Sequence, residues 1–360
     1  MRDSQQALFP DSGLPAGLVE NLRRMNPWWE HQPMRPQPVT RRHLVAQIRR
    51  RMDSGIAPIV VVRGPRQIGK TTAQMQLIGD LLAQGVSPGR VFHVQFDEIP
   101  TLLGLQEPLL RLADWFEARV LKETFNAAAT RGEPAYLFLD ELQNVREWAA
   151  QLKSLVDNSE VRVVVTGSSA LRIEQGRDSL AGRISTLETG VLSLTEISSL
   201  RGFGELSPFL ADNGLEAMTR REFWIRLVEY GRLHSAIRDR AFEAFSERGG
   251  YPLVHLRAEL DWSLVADQLN ETVIKRVIQH DLRVGERGRK RDASLLEELF
   301  RLACRYAGQS PSADLFSREV QRALGANVGR QRVAAYFRFL GDTLLLRVVP
   351  PLEIRLKRQK

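Results

Sequence analysis

Ile59-Val60-Val61-Val62-Arg63-Gly64-Pro65-Arg66-Gln67-Ile68-Gly69-Lys70-Thr71-Thr72 is the stretch that decides the fold. Gly64 to Thr71 has the spacing G-x-x-x-x-G-K-[ST]. The β-branched run Ile59 to Val62 before it reads as a buried strand, and the apolar spacing from Thr72 to Leu82 predicts a helix after it. Strand, glycine turn and helix N-terminus together aim backbone N–H groups and the positive end of a helix dipole at an anion. The pattern therefore predicts a nucleoside triphosphate cradled by Gly64, Pro65, Arg66, Gln67, Ile68, Gly69, Lys70, Thr71 and Thr72. Lys70 would reach the β- and γ-phosphates, and the Thr71 hydroxyl would ligate Mg²⁺. Arg66 either touches phosphate or points outward.

A second site follows at Tyr136-Leu137-Phe138-Leu139-Asp140-Glu141. An acid ending an apolar strand can hold the hydration shell of Mg²⁺, which is the role expected for Asp140. Glu141 beside it can orient and deprotonate a water, as hydrolysis requires. The strand Val161 to Val165 runs into Thr166-Gly167-Ser168-Ser169. In ATPases of this layout that strand lies between the first and third. A hydroxyl of Ser168 or Thr166 would then face the γ-phosphate, unless it serves as a helix cap. Arg183, ahead of a short strand Ile184 to Leu187, either stabilises the transferring phosphoryl group, in cis or toward a neighbouring subunit, or pairs with Glu188. No Asn-Lys-x-Asp guanine-reading motif occurs, which favours ATP.

Strands alternating with helices predict a mostly parallel, five-stranded α/β sheet, a P-loop NTPase of the ASCE type. The expected order is an N-terminal arm over 1–40, the ATPase core over 41–195, a helical lid or linker over 196–290, and a winged-helix domain over 291–360. Within the core, Val91 to Phe96 is expected as a strand, with Pro108 to Ala129 and Arg146 to Val156 as helices. The arginines of a helix from Arg41 to Met52 read as a solvated face. Near the end, helices Phe316 to Leu324 and Arg330 to Leu340 flank a turn, and Leu344 to Val349 reads as the strand of a wing. Val333, Tyr336, Phe337 and Leu340 would pack inward, leaving Arg330, Arg332 and Arg338 for a phosphate backbone.

With 43% hydrophobic and 26% charged residues in 360, the composition is that of an ordinary globular protein. The single cysteine, Cys304, excludes an internal disulfide and fits a reducing cytoplasm. No apolar run approaches a membrane span, so no membrane partner is expected. The formal charge is +8. From Phe316 onward ten basic residues face only Glu319, Asp342 and Glu353, so nearly all the excess lies there. That placement suggests a polyanion, with DNA expected; a winged helix acting as a protein-interaction module is the alternative.

These residues resemble an archaeal and bacterial AAA-type P-loop ATPase family, similar to the STAND and AAA+ branches, whose ATPase core precedes a C-terminal domain of unknown function. The resemblance rests on Asn26-Pro27-Trp28-Trp29, the loop from Gly64, Phe96-Asp97, Leu139-Asp140-Glu141, Thr166 to Ser169, Leu180-Ala181-Gly182-Arg183, Gly249-Gly250-Tyr251-Pro252 and Leu340 to Pro351. It implies ATP and Mg²⁺ as cofactors, carries over Lys70, Thr71, Asp140 and Glu141, and gives Arg183 a functional role left open. Family members usually continue into a nuclease-like α/β region; this sequence stops at Lys360, so no nuclease role is expected. The expectation is an ATPase coupled to a DNA-binding winged helix. A slow, STAND-like nucleotide-dependent protein switch is the alternative. A nucleotide kinase is disfavoured by Glu141 and by the lack of a lid with paired arginines.

Overall fold

The computed structural model describes residues 13–167, 178–207, 209–210, 218–280, 292–325 and 327–349. Two compact units divide the chain, Met1–Ala266 and Asp267–Lys360. The boundary lies within the stretch expected as a helical linker.

The first unit is built on a fully parallel sheet. Its strands are β1 (Ile59–Arg63), β2 (Val91–Gln95), β3 (Tyr136–Asp140), β4 (Arg162–Gly167) and β5 (Ile184–Glu188). They lie in the order β2-β3-β4-β1-β5, so β4 is inserted between β1 and β3 as expected. Parallel strands covered on both faces need apolar residues throughout, which is why β1 reads Ile-Val-Val-Val. Strand alternation sends Val61, Phe92, Val94, Leu137, Leu139, Val163 and Val165 to one layer. That layer includes α1 (Ala16–Met25), α5 (Pro108–Phe116) and α7 (Trp148–Asn158). Val60, Val62, Phe138 and Val164 face the other layer, with α2 (His43–Ser54) and α3 (Lys70–Ala83).

Pro108 to Ala129 is not one helix, as its periodicity suggested. After a one-turn helix α4 (Pro100–Leu103), α5 gives way to a π-turn over Glu117–Leu121, Lys122 takes a left-handed φ of 63°, and α6 (Phe125–Thr130) restarts. The Thr124 side chain accepts from the Ala127 N–H, so a good cap makes the break local and stable.

The N-terminal segment seals the sheet edge. Asn26 side-chain nitrogen donates to the His93 carbonyl at 2.8 Å, and its oxygen accepts from the His93 N–H at 2.7 Å. One side chain thus supplies the hydrogen bonds of a missing neighbouring strand. The Trp28 and Trp29 indoles both donate to the Val91 carbonyl, at 3.0 and 2.9 Å. An open edge of β2 is thereby closed to other chains. At the opposite edge Arg51 donates to the Ser185 hydroxyl and the Thr186 carbonyl, each at 2.8 Å.

Helices follow the sheet: α8 (Leu194–Leu200), α9 (Arg221–Leu233), α10 (Ser235–Arg248), α11 (Pro252–Leu256) and α12 (Trp262–Leu269), in which the unit boundary falls. The break at Gly249-Gly250 has a steric cause. Gly249 has φ +76°, and a Cβ on Gly250 would come within 2.9 Å of Val191. The Leu192 N–H donates to the Gly250 carbonyl at 2.7 Å.

The second unit contains α13 (Lys275–His280), α14 (Ala293–Arg305), α15 (Ala313–Leu324) and α16 (Arg330–Asp342). Side-chain caps at Asp292 and Ser312 start α14 and α15, and Gly325 at φ +65° ends α15. Leu299, Phe316, Val320, Val333, Tyr336 and Leu340 are buried in the three-helix cluster of α14 to α16, with Phe337 half-buried. The inward face of α16 is therefore as expected.

The wing strand is not. Leu344 to Val349 pairs with no strand among the described residues, and Leu344 takes φ 61°. The Leu344 and Leu346 N–H groups turn back to Gly341 and Leu340 carbonyls, at 2.9 and 3.3 Å. The chain satisfies its backbone on the end of α16 and leaves Val348 and Val349 exposed, so this apolar run is not buried as a strand. Helix-turn-helix order remains; the expected strand over Leu344 to Val349 is corrected.

Candidate active site

All elements of the site meet at the C-terminal ends of β1, β3 and β4. Close packing makes glycine obligatory at position 64. A Cβ there would approach the Ile68 side chain at 2.5 Å and the Thr189 carbonyl at 2.7 Å, the latter on backbone that cannot yield. Gln67 and Gly69 adopt left-handed conformations, φ 59° and 88°, which bend the loop into the start of α3. Ile68 is fully buried and anchors the loop, and Thr72 is half-buried on the first turn of α3.

Lys70 is buried, and its ammonium donates to the carbonyls of Gly64 at 2.9 Å and Pro65 at 2.7 Å. Burial pulls its pKa down to about 8, against the attraction of Glu141 and Asp140; Arg66 and Arg42 lower it further. It remains mostly charged at neutral pH. Thr71 Oγ1 donates to Asp140 Oδ2 at 2.5 Å. Thr166 Oγ1 donates to the other Asp140 oxygen and accepts from the Gln74 side chain at 3.1 Å. Burial pushes Asp140 up to about 6, reinforced by the charge of Glu141 and opposed by the hydrogen bonds from Thr166 and Thr71 and by the Lys70 charge.

A Mg²⁺ ion fits this donor set. Thr71 and Asp140 offer oxygen ligands only, side by side, and Mg²⁺ keeps waters and substrate phosphate oxygens for its remaining positions. No group of three or more His, Cys, Asp and Glu side chains that could hold a metal occurs among the described residues.

Glu141 follows Asp140 in a left-handed conformation, φ 54°, and its N–H donates to the Thr166 carbonyl at 2.9 Å. Its charge reaches both Lys70 and Asp140. Thr166 is thus engaged with Asp140. Ser168 lies outside the described residues. Arg183 is brought nowhere near the loop within this chain. It precedes β5, its carbonyl accepts from Ile59 N–H, and so it stands at the N-terminal edge of a parallel sheet whose C-terminal edge carries Gly64. Its guanidinium pairs with Asp157, not Glu188, with one contact at 3.0 Å. Of the alternatives left open for Arg183, action in cis and pairing with Glu188 do not fit this placement.

Arg42, read from sequence as part of a solvated face, reaches into the site. It donates to the loop carbonyl of Ile68 at 2.6 Å, to those of Gly190 and Val191 at 3.2 Å each, and to both oxygens of Glu196 at 3.1 and 3.3 Å. An apolar cleft runs from the loop beside it, lined by Pro38, Thr40, Gly69, Thr72, Gln76, Leu192, Leu200 and Leu256. Neither feature has a sequence signal, because the partners are far apart in the chain.

The family model described as an AAA domain matches residues 57–198. An uncharacterized protein of Methanocaldococcus jannaschii is 28% identical over 121 residues, 33% of this chain; the match takes in 23% of that protein's length. A Walker-type ATPase of Pyrococcus abyssi is similar in structure, with a TM-score of 0.52 over 86% of this chain and 93% of that one, at 14% identity. That likeness concerns the fold. No helix among the described residues is long and apolar enough to cross a membrane.

Proposed function

We propose, from the premise that residues 57–198 form an AAA domain of the P-loop ATPase type, that this protein binds ATP with Mg²⁺ and hydrolyses it. The observation that carries the reading is the convergence of Lys70, Thr71, Asp140 and Glu141 at one end of the sheet. The loop N–H groups and the N-terminus of α3 bind the phosphates. The Lys70 ammonium exchanges its two carbonyl partners for phosphate oxygens, a swap that costs little because both states are hydrogen-bonded. Thr71 and Asp140 hold Mg²⁺, which when bound offsets charge on the β- and γ-phosphates. Glu141 takes a proton from the attacking water. The cleft beside Gly69 and Thr72 is the part of the surface suited to the base. Arg183 has its place in this reading only toward a neighbouring subunit, and Ser168 as a γ-phosphate contact.

The nucleotide state is coupled, in this reading, to duplex DNA held by α15 and α16 in a cytoplasmic setting. Gln331, Arg332, Ala334, Ala335 and Arg338 form an exposed face on α16, small enough in the middle to approach a groove. Arg330 instead pairs with Asp314. A protein switch is the second reading, favoured by Trp224, Ile225 and Val228, exposed together on α9.

Phosphate release and nucleotide affinity, measured with and without duplex DNA, test the proposal. Lys70→Ala is expected to weaken ATP binding by at least about 10-fold, whereas Glu141→Gln keeps binding and loses turnover by about 100-fold or more. Wild-type turnover in Glu141→Gln would remove the base assignment.

A further inference from the structure

A single turn over Leu142–Asn144 folds the chain back across the end of β3. The Asn144 N–H donates to the Glu141 carbonyl at 3.1 Å, and the Val145 N–H to the Leu142 carbonyl at 3.0 Å. This brings Gln143 against Glu141, and Gln143 Nε2 donates to Glu141 Oε2. The contact orients the amide, because a carboxylate only accepts and would repel the amide oxygen.

Gln143 is 6% exposed, and its Oε1 is buried with no hydrogen-bond partner among the described residues. A buried amide oxygen left unpaired costs about 1–3 kcal/mol. On a planar amide the oxygen lies roughly 2 Å from the nitrogen, so Oε1 is within about 5 Å of the carboxylate, a span that one water bridges.

We infer that Gln143 is a positioning residue for hydrolysis: its amide nitrogen fixes the Glu141 carboxylate, and its amide oxygen accepts the second hydrogen of the attacking water. The inference rests on the reading of Glu141 as the base. In the step, the water oxygen bonds to the γ-phosphorus and its proton passes to Glu141. The bond from that phosphorus to the β–γ bridging oxygen breaks, and ADP and phosphate leave. An amide suits the task because it neither ionises nor competes for the proton in a cluster that already holds Lys70 and Asp140.

The test is steady-state phosphate release by the full chain with Mg²⁺-ATP, alongside equilibrium binding of a fluorescent ATP analogue. Gln143→Ala and the same-sized Gln143→Glu, which lacks the donor, are each expected to lower kcat on the order of 10-fold to 100-fold while analogue Kd changes less than about 2-fold. If the alanine variant binds poorly, the glutamate variant decides: a fall in kcat at retained affinity supports the inference, and parallel losses overturn it. Wild-type kcat in both overturns it too. Glu141→Gln measured in parallel separates the two claims. Lost turnover there with both Gln143 variants unaffected sinks the positioning role alone. Retained turnover there removes the base and the positioning role with it.

Discussion

His93 sits at the centre of β2 with its imidazole 4% exposed and neither ring nitrogen paired among the described residues. Burial pulls its pKa from 6.5 to about 4. The folded protein thus prefers the neutral ring. Its contribution to stability is complete above pH 6.5 and is lost as pH falls through about 4, a span worth roughly 3 kcal/mol. Between pH 7 and pH 5, urea unfolding of the wild type should lose about 2 kcal/mol more than that of His93→Leu. Equal losses would mean the ring is hydrated. Nothing in the sequence marks His93, since its environment is made by residues far along the chain. Lys70, Thr71, Asp140 and Glu141 were legible because each owes its place to a strand end and a local turn. Gln143 was missed for want of a spacing rule, although it lies two residues from Glu141.

Among elements, the strands were legible because burial on both faces forces continuous apolar runs, and β4 took the inserted position that its hydroxyl-bearing end required. The wing failed for the complementary reason: Leu344 to Val349 has strand-like residues but no partner among the described residues, and its N–H groups found closer carbonyls. The start of α2 illustrates a tie that periodicity cannot reveal. Arg42 joins the phosphate loop to the capping box of α8, where Glu196 also accepts from the N–H groups of Ser193 and His43, at 2.8 and 3.0 Å. Burial disfavours ionisation of Glu196, yet Arg42 and these N–H groups hold it below the usual carboxylate range. Arg42→Ala should therefore strand a buried carboxylate and cost about 3 kcal/mol in thermal or urea unfolding. Adding Glu196→Gln should recover part of that loss, because it removes the stranded charge while its one amide oxygen still accepts from one of the two N–H groups. A stable Arg42→Ala single variant would show that the tie contributes little.

At the scale of the molecule, charge separates the two units more clearly than fold does. The excess of ten basic over three acidic residues from Phe316 onward lies in the unit Asp267–Lys360. Not all of it is available to a partner: Arg330 pairs with Asp314, and Arg322 with Glu319 at 3.1 Å. Arg318, Arg332 and Arg338 are exposed on α15 and α16 and make no ion pair with another described residue, Arg332 lying over the Tyr336 ring at 5.8 Å. If they meet phosphates, each releases close to one counterion on binding. The logarithm of duplex affinity plotted against the logarithm of salt should then flatten by about 3 when all three become alanine. Nucleotide affinity at Lys70, measured without duplex, should be unchanged in that variant, since none of the three arginines belongs to the phosphate loop or to the Asp140–Glu141 pair. An unaltered slope would assign the basic residues to solvation. Absence of duplex retention even at low salt would shift the argument to the exposed α9 face, where capture of a protein partner should differ between the ATP and ADP states. The charge excess supports the first outcome, because solvation alone gives no reason to gather it within one unit.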